Sequence, residues 1–286
     1  METSSDDDGD TAATLTKTSF VLLLLLPALY LSPTKPPGNE TFSPPAHESA
    51  KKPKPEALAS KPKKKKKKLY ITFDDGPNRG TKNVLTIVKD ENIPVSFFIV
   101  GEHVFASRPQ AQIWDSLKIA EQIELCNHSY SHAHGRYNRY YEQPDSVVSD
   151  FERTHDSLGL DNRIARTPGR NTWRIDTLRF TDLAKTTAAA DSLQKAGFVI
   201  MGWDLEWHYD HKTMSVTTTA DDLIAQIDSL FKHNKTRQPD NLVLLAHDQV
   251  YVKADDSLQL RRFLQLLKQK DEYEAALVTA YPGALK

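Results

Sequence analysis

The sequence predicts an α/β protein in which parallel strands, with helices outside them, form a sheet that is either open or closed into a (β/α)7 barrel. Three observations support this class. Seven short apolar runs follow one another between residue 69 and the C-terminus. An amphipathic stretch of helical length separates each run from the next, and this alternation is typical of a parallel sheet. The chain has 286 residues, 39% hydrophobic and 26% charged, which is enough to bury a core.

The predicted elements follow from the spacing of apolar residues along the chain. The predicted strands are 69–73, 95–100, 122–126, 163–166, 197–202, 241–246 and 275–279. The predicted helices lie near 80–90, 109–121, 145–158, 180–195, 218–232 and 256–270. In the helix near 218, Asp221 and Asp222 stand at the N-terminal end, where negative charge is favourable. Leu223, Ile224 and Ile227 follow them at helical spacing.

The N-terminal segment contains an apolar run at residues 20–31, FVLLLLLPALYL. It is shorter than the ~20 residues that span a bilayer as a helix, and it matches the hydrophobic region of a signal peptide. Its flanks fit less well, because acidic residues precede it and no small-x-small cleavage site follows. We therefore expect residues 1–31 to be a signal peptide or short membrane anchor, a candidate membrane tether. The alternative is a disordered apolar tail on a cytoplasmic protein.

Residues 32–68 are rich in proline and lysine, and six consecutive lysines stand at 63–68. Such a segment has too few apolar side chains to offset the entropy of ordering, so we expect a linker before a domain at 69–286. Lysines give residues 1–68 a formal net charge of +4, whereas the remainder carries −5. An acidic domain argues against a nucleic-acid partner. We expect an exported protein of the cell envelope, membrane-anchored, periplasmic or extracellular.

Titratable residues follow nearly every predicted strand. They occur in DDGP at 74–77, NHSYSH at 127–132, RTPG at 166–169, WDLEW at 203–207 and HD at 247–248. Active sites of parallel α/β proteins collect at the carboxyl ends of the strands, so these stretches are expected to meet at one site.

Two pairs of residues in these stretches point to a metal. His128 and His132 are four residues apart, which on one helical turn would bring both imidazoles to the same face for a divalent cation. Adjacent carboxylates on an extended backbone point in different directions, so of Asp74 and Asp75 one can bind the metal and the other can act as a base. A surface turn is the competing interpretation of DDGP taken alone. Cys126, the single cysteine, is expected to be a buried strand thiol rather than a fourth ligand.

The five stretches TFDDGP at 72–77, HSYSH at 128–132, RTPG at 166–169, the Trp/Asp-rich 203–207 and LLAHD at 244–248 resemble, in order, the motifs of the polysaccharide deacetylases, carbohydrate esterase family 4. The resemblance covers essentially residues 69–286. It implies a distorted (β/α)7 barrel that removes acetyl groups from the N-acetylated sugars of a polysaccharide such as peptidoglycan or chitin. It also implies one divalent metal, with zinc expected and cobalt, nickel or manganese as alternatives.

The resemblance also implies roles for individual residues. Asp75, His128 and His132 match the metal ligands, Asp74 the general base, Arg166 the arginine that pairs with that base, and His247 the acid that protonates the leaving amine. The backbone N–H of Gly169 matches the oxyanion donor. Support for His247 is expected from Asp204 or Glu206, with Asp210 as an alternative. Sugar contacts are expected from Pro168, Trp173, Trp203 and Trp207, and His134, His208 and His211 are expected to line the groove.

Two departures from the family pattern concern the groove. Gly169 and Arg170 follow Pro168 where the family has an aromatic wall, which leaves that wall to another residue, with Trp173 as the candidate. The carboxylates of 203–207 are also spaced differently from the family pattern. The alternatives are therefore an O-deacetylase or a non-sugar amidohydrolase on the same fold, or a non-catalytic glycan-binding module.

Overall fold

The computed structural model describes residues 65–285. The predicted signal peptide or anchor (1–31) and residues 32–64 of the predicted linker lie outside the described residues. The strands are β1 (Lys67–Gly76), β2 (Val95–Ile99), β3 (Ile123–Asn127), β4 (Ile164–Ala165), β5 (Thr172–Ile175), β6 (Leu178–Thr181), β7 (Val199–Ile200), β8 (Leu205–Glu206), β9 (Tyr209–Asp210), β10 (Ser215–Val216), β11 (Asn241–His247) and β12 (Tyr273–Ala275). The helices are α1 (Thr81–Glu91), α2 (Gly101–Phe105), α3 (Arg108–Lys118), α4 (Tyr137–Tyr141), α5 (Pro144–Leu158), α6 (Thr187–Lys195), α7 (Ala220–Lys232) and α8 (Ala254–Lys268).

The main sheet confirms the predicted α/β class. Its hydrogen-bonded order is β6-β5-β7-β4-β3-β2-β1-β11-β8, and β12 also pairs with β1. The pairs from β7 through β4, β3, β2, β1 and β11 to β8 are all parallel. This parallel part curls into a half-barrel.

The centre of the sheet is the long pair β1 and β11. Their register runs from Lys68 opposite Asn241 to Asp74 opposite His247. Strands buried on both faces are apolar almost throughout, which explains the runs LYITF and NLVLLA. This register brings a carboxylate and an imidazole together at the carboxyl end of the sheet.

Alternate residues of β1 enter different cores. Leu69, Ile71 and Phe73 belong to a cluster that includes residues of α1, α7 and α8. Tyr70 enters a second cluster on the other face, together with Cys126. The period-2 alternation of a strand explains this division. Cys126 is fully buried, as expected for a structural thiol.

The first strand begins earlier than predicted. We expected the linker to extend through Lys68, but β1 starts at Lys67. The Lys67 N–H donates to the Glu272 carbonyl at 2.9 Å, and the Lys68 N–H donates to the Asp240 carbonyl at 2.8 Å. Because two neighbouring segments offer backbone carbonyls as acceptors, the strand extends into the lysine run.

Two other predictions about elements need correction. The strand predicted at 275–279 lies earlier, at β12, and Val278–Ala280 forms a 3-10 turn. The helix predicted at 180–195 begins only at Thr187, because β5 and β6 form an antiparallel hairpin in the preceding segment. Asp176, with φ of 47°, makes its turn. No helix within 65–285 is long and apolar enough to cross a membrane.

Candidate active site

A cavity of about 260 Å³ lies at the carboxyl end of the central strands. It is lined by Asp74, Asp75, His128, His132, Tyr137, Gly169, Trp203, Glu206, Tyr209, His211, Leu245 and His247. The structure thus brings residues of all five sequence stretches to one cavity, as predicted from their positions after the strands.

The two adjacent carboxylates leave β1 in different directions. Asp75 has φ of 73°, a left-handed conformation that is uncommon for residues other than glycine and that recurs at functional sites. Asp74 Oδ1 lies 2.8 Å from Arg166 Nη1, whereas Asp75 Oδ1 faces the histidines, 3.1 Å from His132 Nε2. The predicted divergence of the pair is therefore present, with backbone strain at Asp75 contributing to it.

The histidines come together in a loop, and the predicted helical turn is wrong. Ser129 and His132 have φ of 65° and 47°, which no helix contains. Asn127 Oδ1 accepts the Ser129 N–H at 2.9 Å, and Ser129 Oγ accepts the His132 N–H at 3.0 Å. Such local bonds from short polar side chains compete with helix formation. The two imidazole centroids are nevertheless 5.0 Å apart.

Asp75, His128 and His132 form a group that fits a metal ion. Their ligand atoms all lie within 4.8 Å of one another. Asp75 Oδ1 is buried and has no hydrogen-bond partner among the described residues. His128 Nδ1 lies 2.9 Å from the Arg166 carbonyl and can only donate to it, which leaves the Nε2 lone pair directed into the group. Two imidazole nitrogens and one carboxylate oxygen are a typical donor set for a catalytic zinc.

The neighbouring charges and burial act differently on the three residues of this group. Burial lowers the pKa of His128 to about 4 despite the nearby carboxylates, so this imidazole is neutral near pH 7, the form that binds metals. Burial tends to raise the pKa of Asp75, but the adjacent His132 ring and the charges of His128 and His247 hold that pKa far below its usual value. The pKa of His132 is raised: burial lowers it, but Asp75 outweighs burial. A metal therefore competes with a proton for the His132 ring.

Arg166 holds Asp74 from one side. Its guanidinium is fully buried, and Nη1 also donates to Thr72 Oγ1 at 2.8 Å. Nε and Nη2 donate to the carbonyls of Met201 and Gly202 at 3.1 and 3.0 Å. With this many fixed partners the guanidinium cannot rotate away, so Asp74 Oδ1 has a fixed position.

His247 is the register partner of Asp74 on the neighbouring strand and lines the same cavity, and its Nδ1 is buried without a hydrogen-bond partner in the part of the chain that the structure describes. The Tyr209 ring packs on it at 5.2 Å between centroids. Its predicted support by Asp204 is wrong, because the Asp204 oxygens accept the backbone N–H groups of Arg237 at 2.7 Å and Val243 at 2.8 Å. Burial raises the pKa of Asp204 to about 6.

The other two carboxylates near His247 differ in position. Asp210 accepts the N–H groups of Lys212 and Thr213 at 2.9 and 2.7 Å, so it caps an exposed turn and does not support His247. Glu206 lines the cavity, and its Oε1 lies 3.6 Å from Nδ1 of the exposed His208. Glu206 is therefore the carboxylate of the three that shares the cavity with His247.

Two of the predicted sugar-binding tryptophans are core residues. Trp173 is fully buried beside Tyr70 in the second cluster, and Trp207 is buried with its indole N–H donating to the Thr218 carbonyl at 2.9 Å. Burial on both sides leaves neither face available to a ligand, so these predictions are wrong. Trp203 does line the cavity. Pro168 is buried and is not among the residues that line the cavity, and its carbonyl accepts the Tyr141 hydroxyl at 2.7 Å.

The Tyr137 ring lies beside Gly169, close to where the sequence lacks the aromatic residue that the family has after the proline. A Cβ added to Gly169 would lie 3.2 Å from the Tyr137 ring, and that ring lines the cavity 5.8 Å from the His132 ring. Sequence reasoning missed this residue, although the aromatic cluster YNRYY at 137–141 in a polar segment was an available signal. Among the other histidines, His211 lines the cavity, whereas His134 is exposed and pairs with Glu102 at 3.1 Å.

The sequence matches a family model described as polysaccharide deacetylase over residues 61–201. It is 26% identical over 219 residues to the peptidoglycan-N-acetylglucosamine deacetylase of Bacillus cereus, covering 74% of this chain and 70% of that protein. It is also 26% identical over 192 residues to the Bacillus subtilis protein YheN, covering 64% of this chain and 58% of that protein. The match thus spans well under two thirds of YheN.

The fold is also similar to solved structures. A carbohydrate esterase family 4 enzyme of Streptococcus mutans superposes with a TM-score of 0.56 at 22% identity, covering 74% of this chain and 86% of that one. This likeness concerns the fold: a distorted (β/α)7 barrel of the kind that the motifs implied.

Proposed function

Because this chain belongs to the polysaccharide deacetylase family, carbohydrate esterase family 4, we propose that it hydrolyses the acetamide of N-acetylated sugars in a polysaccharide of the peptidoglycan or chitin type. One observation carries the proposal. The group Asp75, His128 and His132 lies in one cavity with the Asp74–Arg166 pair and with His247. A metal site, a base and an acid around one space are what amide hydrolysis requires.

The family is metal-dependent, and we propose zinc held by Asp75, His128 and His132. When bound there, a divalent ion supplies Lewis acidity, which polarises the acetyl carbonyl and lowers the pKa of water. The three residues provide one carboxylate oxygen and two imidazole nitrogens, and fewer ligands than a closed structural site leave room for substrate and water.

Asp74 is the proposed general base. Arg166 occupies its Oδ1 at 2.8 Å, while its Oδ2 is directed toward the ligand group, 3.6 Å from His128 Nε2. Oδ2 is thus the oxygen free to take a proton from the attacking water. As the water oxygen bonds to the acetyl carbon, the carbonyl oxygen gains charge, and the Gly169 N–H is the proposed donor to it.

His247 is the proposed acid. The carbon–nitrogen bond breaks only when the departing nitrogen receives a proton, because an amine anion is too poor a leaving group. The proton passes from His247 to that nitrogen, and acetate and a free amino sugar are released. Glu206, in the same cavity, is the carboxylate that we propose supports His247.

Acetate release from chitooligosaccharide, peptidoglycan and acetyl-xylan, measured side by side with zinc-loaded and chelator-treated protein, tests the proposal. We expect release from the N-acetylated polymers and its loss on chelation. Release from acetyl-xylan alone would identify an O-deacetylase, and no release from any polymer would favour a glycan-binding module.

We further propose that the protein acts outside the cytoplasm, because an export signal suits an enzyme whose polymer substrate lies in the cell envelope. The apolar run 20–31 motivates this. Cell fractionation with N-terminal sequencing of the exported chain tests it, and recovery of the intact chain in the cytoplasm alone would contradict it.

A further inference from the structure

The segment that follows β11 contacts the segment that follows β1 at two points. Asp248 is fully buried and accepts hydrogen bonds from Asn78 Nδ2 and Thr81 Oγ1. A Cβ added to Gly76 would lie 2.6 Å from Asp248 Oδ2, so the two segments fit closely there. One residue further on, Gln249 Nε2 donates to Asp75 Oδ2 at 3.2 Å. The first contact joins the segments and the second reaches a metal-ligand candidate directly.

We propose that Gln249 is a positioning residue that fixes the Asp75 carboxylate so that Oδ1 points at the two histidines. This inference rests on the metal site of the proposed function. The two oxygens of Asp75 have different environments: Oδ2 accepts from Gln249, whereas Oδ1 is buried without a hydrogen bond within residues 65–285. A donor on one oxygen thus leaves the other for an ion.

Apart from the approach of Oδ1 to the two histidines, at 3.1 and 3.6 Å, the remaining contacts of Asp75 fix its backbone, so Gln249 is the residue that holds the other carboxylate oxygen. The Asp75 carbonyl lies 2.8 Å from His103 Nδ1 and 3.4 Å from Asn78 Nδ2. These bonds hold the strained residue in place but do not restrain rotation of the side chain. Rotation of the carboxylate would remove Oδ1 from the histidines, and the Gln249 amide opposes that rotation.

Gln249 is itself held in place. Its Nε2 also lies 3.2 Å from the Tyr209 hydroxyl, and the Tyr209 ring packs on His247. The amide therefore joins a ligand carboxylate to the residue that covers the proposed acid. Residues that orient metal ligands in this way commonly change metal affinity by 10- to 100-fold when removed.

The test measures the dissociation constant of Zn²⁺ for the full chain by competition with a chromophoric chelator. Gln249→Leu removes the donor at similar volume, and we expect binding about 10- to 100-fold weaker. Gln249→Asn keeps an amide but shortens its reach by one methylene, so it should also weaken binding. The matched control is Gln110→Leu, because Gln110 Nε2 donates at 2.9 Å to the Pro77 carbonyl of the same loop but contacts no ligand.

The thermal unfolding midpoint of the chelator-treated chain separates positioning from folding. The proposal expects similar midpoints for Gln249→Leu and Gln110→Leu, with weaker Zn²⁺ binding in Gln249→Leu alone. Unchanged Zn²⁺ affinity in Gln249→Leu would overturn the role of Gln249 while the metal site stood. Absence of Zn²⁺ binding by the unaltered chain would overturn the metal site and the role of Gln249 with it.

Discussion

Asp74 and Arg166 form a buried ion pair, with 3% and 0% of their surfaces exposed. In Asp74→Asn the amide cannot take a proton, so we expect turnover to fall by about 10²–10⁴-fold. Zinc should still bind, since Asp75 and the histidines remain. The Arg166 charge would lose its counterion, and breaking a buried pair in this way costs about 3–5 kcal/mol of stability. Acetate release, zinc content and thermal unfolding measure the three effects, and loss of zinc would mean that Asp74 and Asp75 have exchanged roles.

Tyr137 provides a second test at the level of one side chain. Its ring fills the space beside Gly169 and lines the cavity, so Tyr137→Ala should remove a surface that the sugar of the proposed substrate would contact. The variant would lose binding energy that the bound substrate and the transition state share equally, so KM should rise and kcat should be nearly unchanged. We expect KM for a chitooligosaccharide to rise about tenfold, which is about 1.4 kcal/mol. A small activated acetate ester, which carries no sugar ring, is the control, and an equal effect on both substrates would contradict a role in sugar binding.

Asp204 predicts a pH dependence of stability. Burial raises the pKa of its carboxyl from 3.8 to about 6 in the folded chain, so the folded state binds more protons than the unfolded state between those values. The contribution of the Asp204 carboxyl to the free energy of unfolding is therefore fully present below pH 4 and is lost as the pH rises through 6. The total loss is at most about 3 kcal/mol. Asp204→Asn removes the titration. The difference in unfolding free energy between the two proteins should change over this window, and a constant difference would contradict it.

At the level of the elements, the start of β1 can be tested in the full chain. Lys68→Pro removes the N–H that donates to the Asp240 carbonyl at 2.8 Å, and loss of this ladder hydrogen bond should lower the free energy of unfolding by about 1 kcal/mol. Lys66→Pro is the control, since Lys66 precedes the strand in the same lysine run. Urea unfolding should show a lower free energy of unfolding for Lys68→Pro and an unchanged one for Lys66→Pro. Equal stability of the two variants would mean that the linker extends to Lys68, as the sequence first indicated.

The accuracy of the sequence predictions for each element depended on its burial. Central strands such as β2 and β11 are buried on both faces, so their apolar runs were readable. The hairpin of β5 and β6 was missed because a four-residue strand such as LRFT, half-buried, has no distinctive period. Buried tryptophans and exposed ones also look alike in a sequence. Trp173 and Trp207 were therefore assigned to the groove, and only packing shows that they lie in the core.

At the level of the whole molecule, the order of strands explains why residues far apart in sequence meet. β1 lies between β2 and β11 and β3 follows β2, so Asp74, His128 and His247 come from neighbouring parts of one sheet edge. The rule that sites collect at the carboxyl ends of parallel strands made this edge predictable. The contact of Gln249 with Asp75 was not predictable, because it depends on the geometry of two loops rather than on a strand pattern.

The proposed metal would join the segments after β1 and β3, so its binding should stabilise the whole folded domain. A ligand that binds only the folded state at 100 times its dissociation constant adds about 2.7 kcal/mol, which for a domain of this size raises Tm by about 5–10 °C. We expect this rise with Zn²⁺ and its reversal by chelator. His132→Ala removes the ligand 3.1 Å from Asp75 Oδ1 and should abolish the rise. His134→Ala is the control, because that exposed histidine of the same loop pairs with Glu102 outside the cavity. A full Tm rise in His132→Ala would show that Zn²⁺ binds elsewhere.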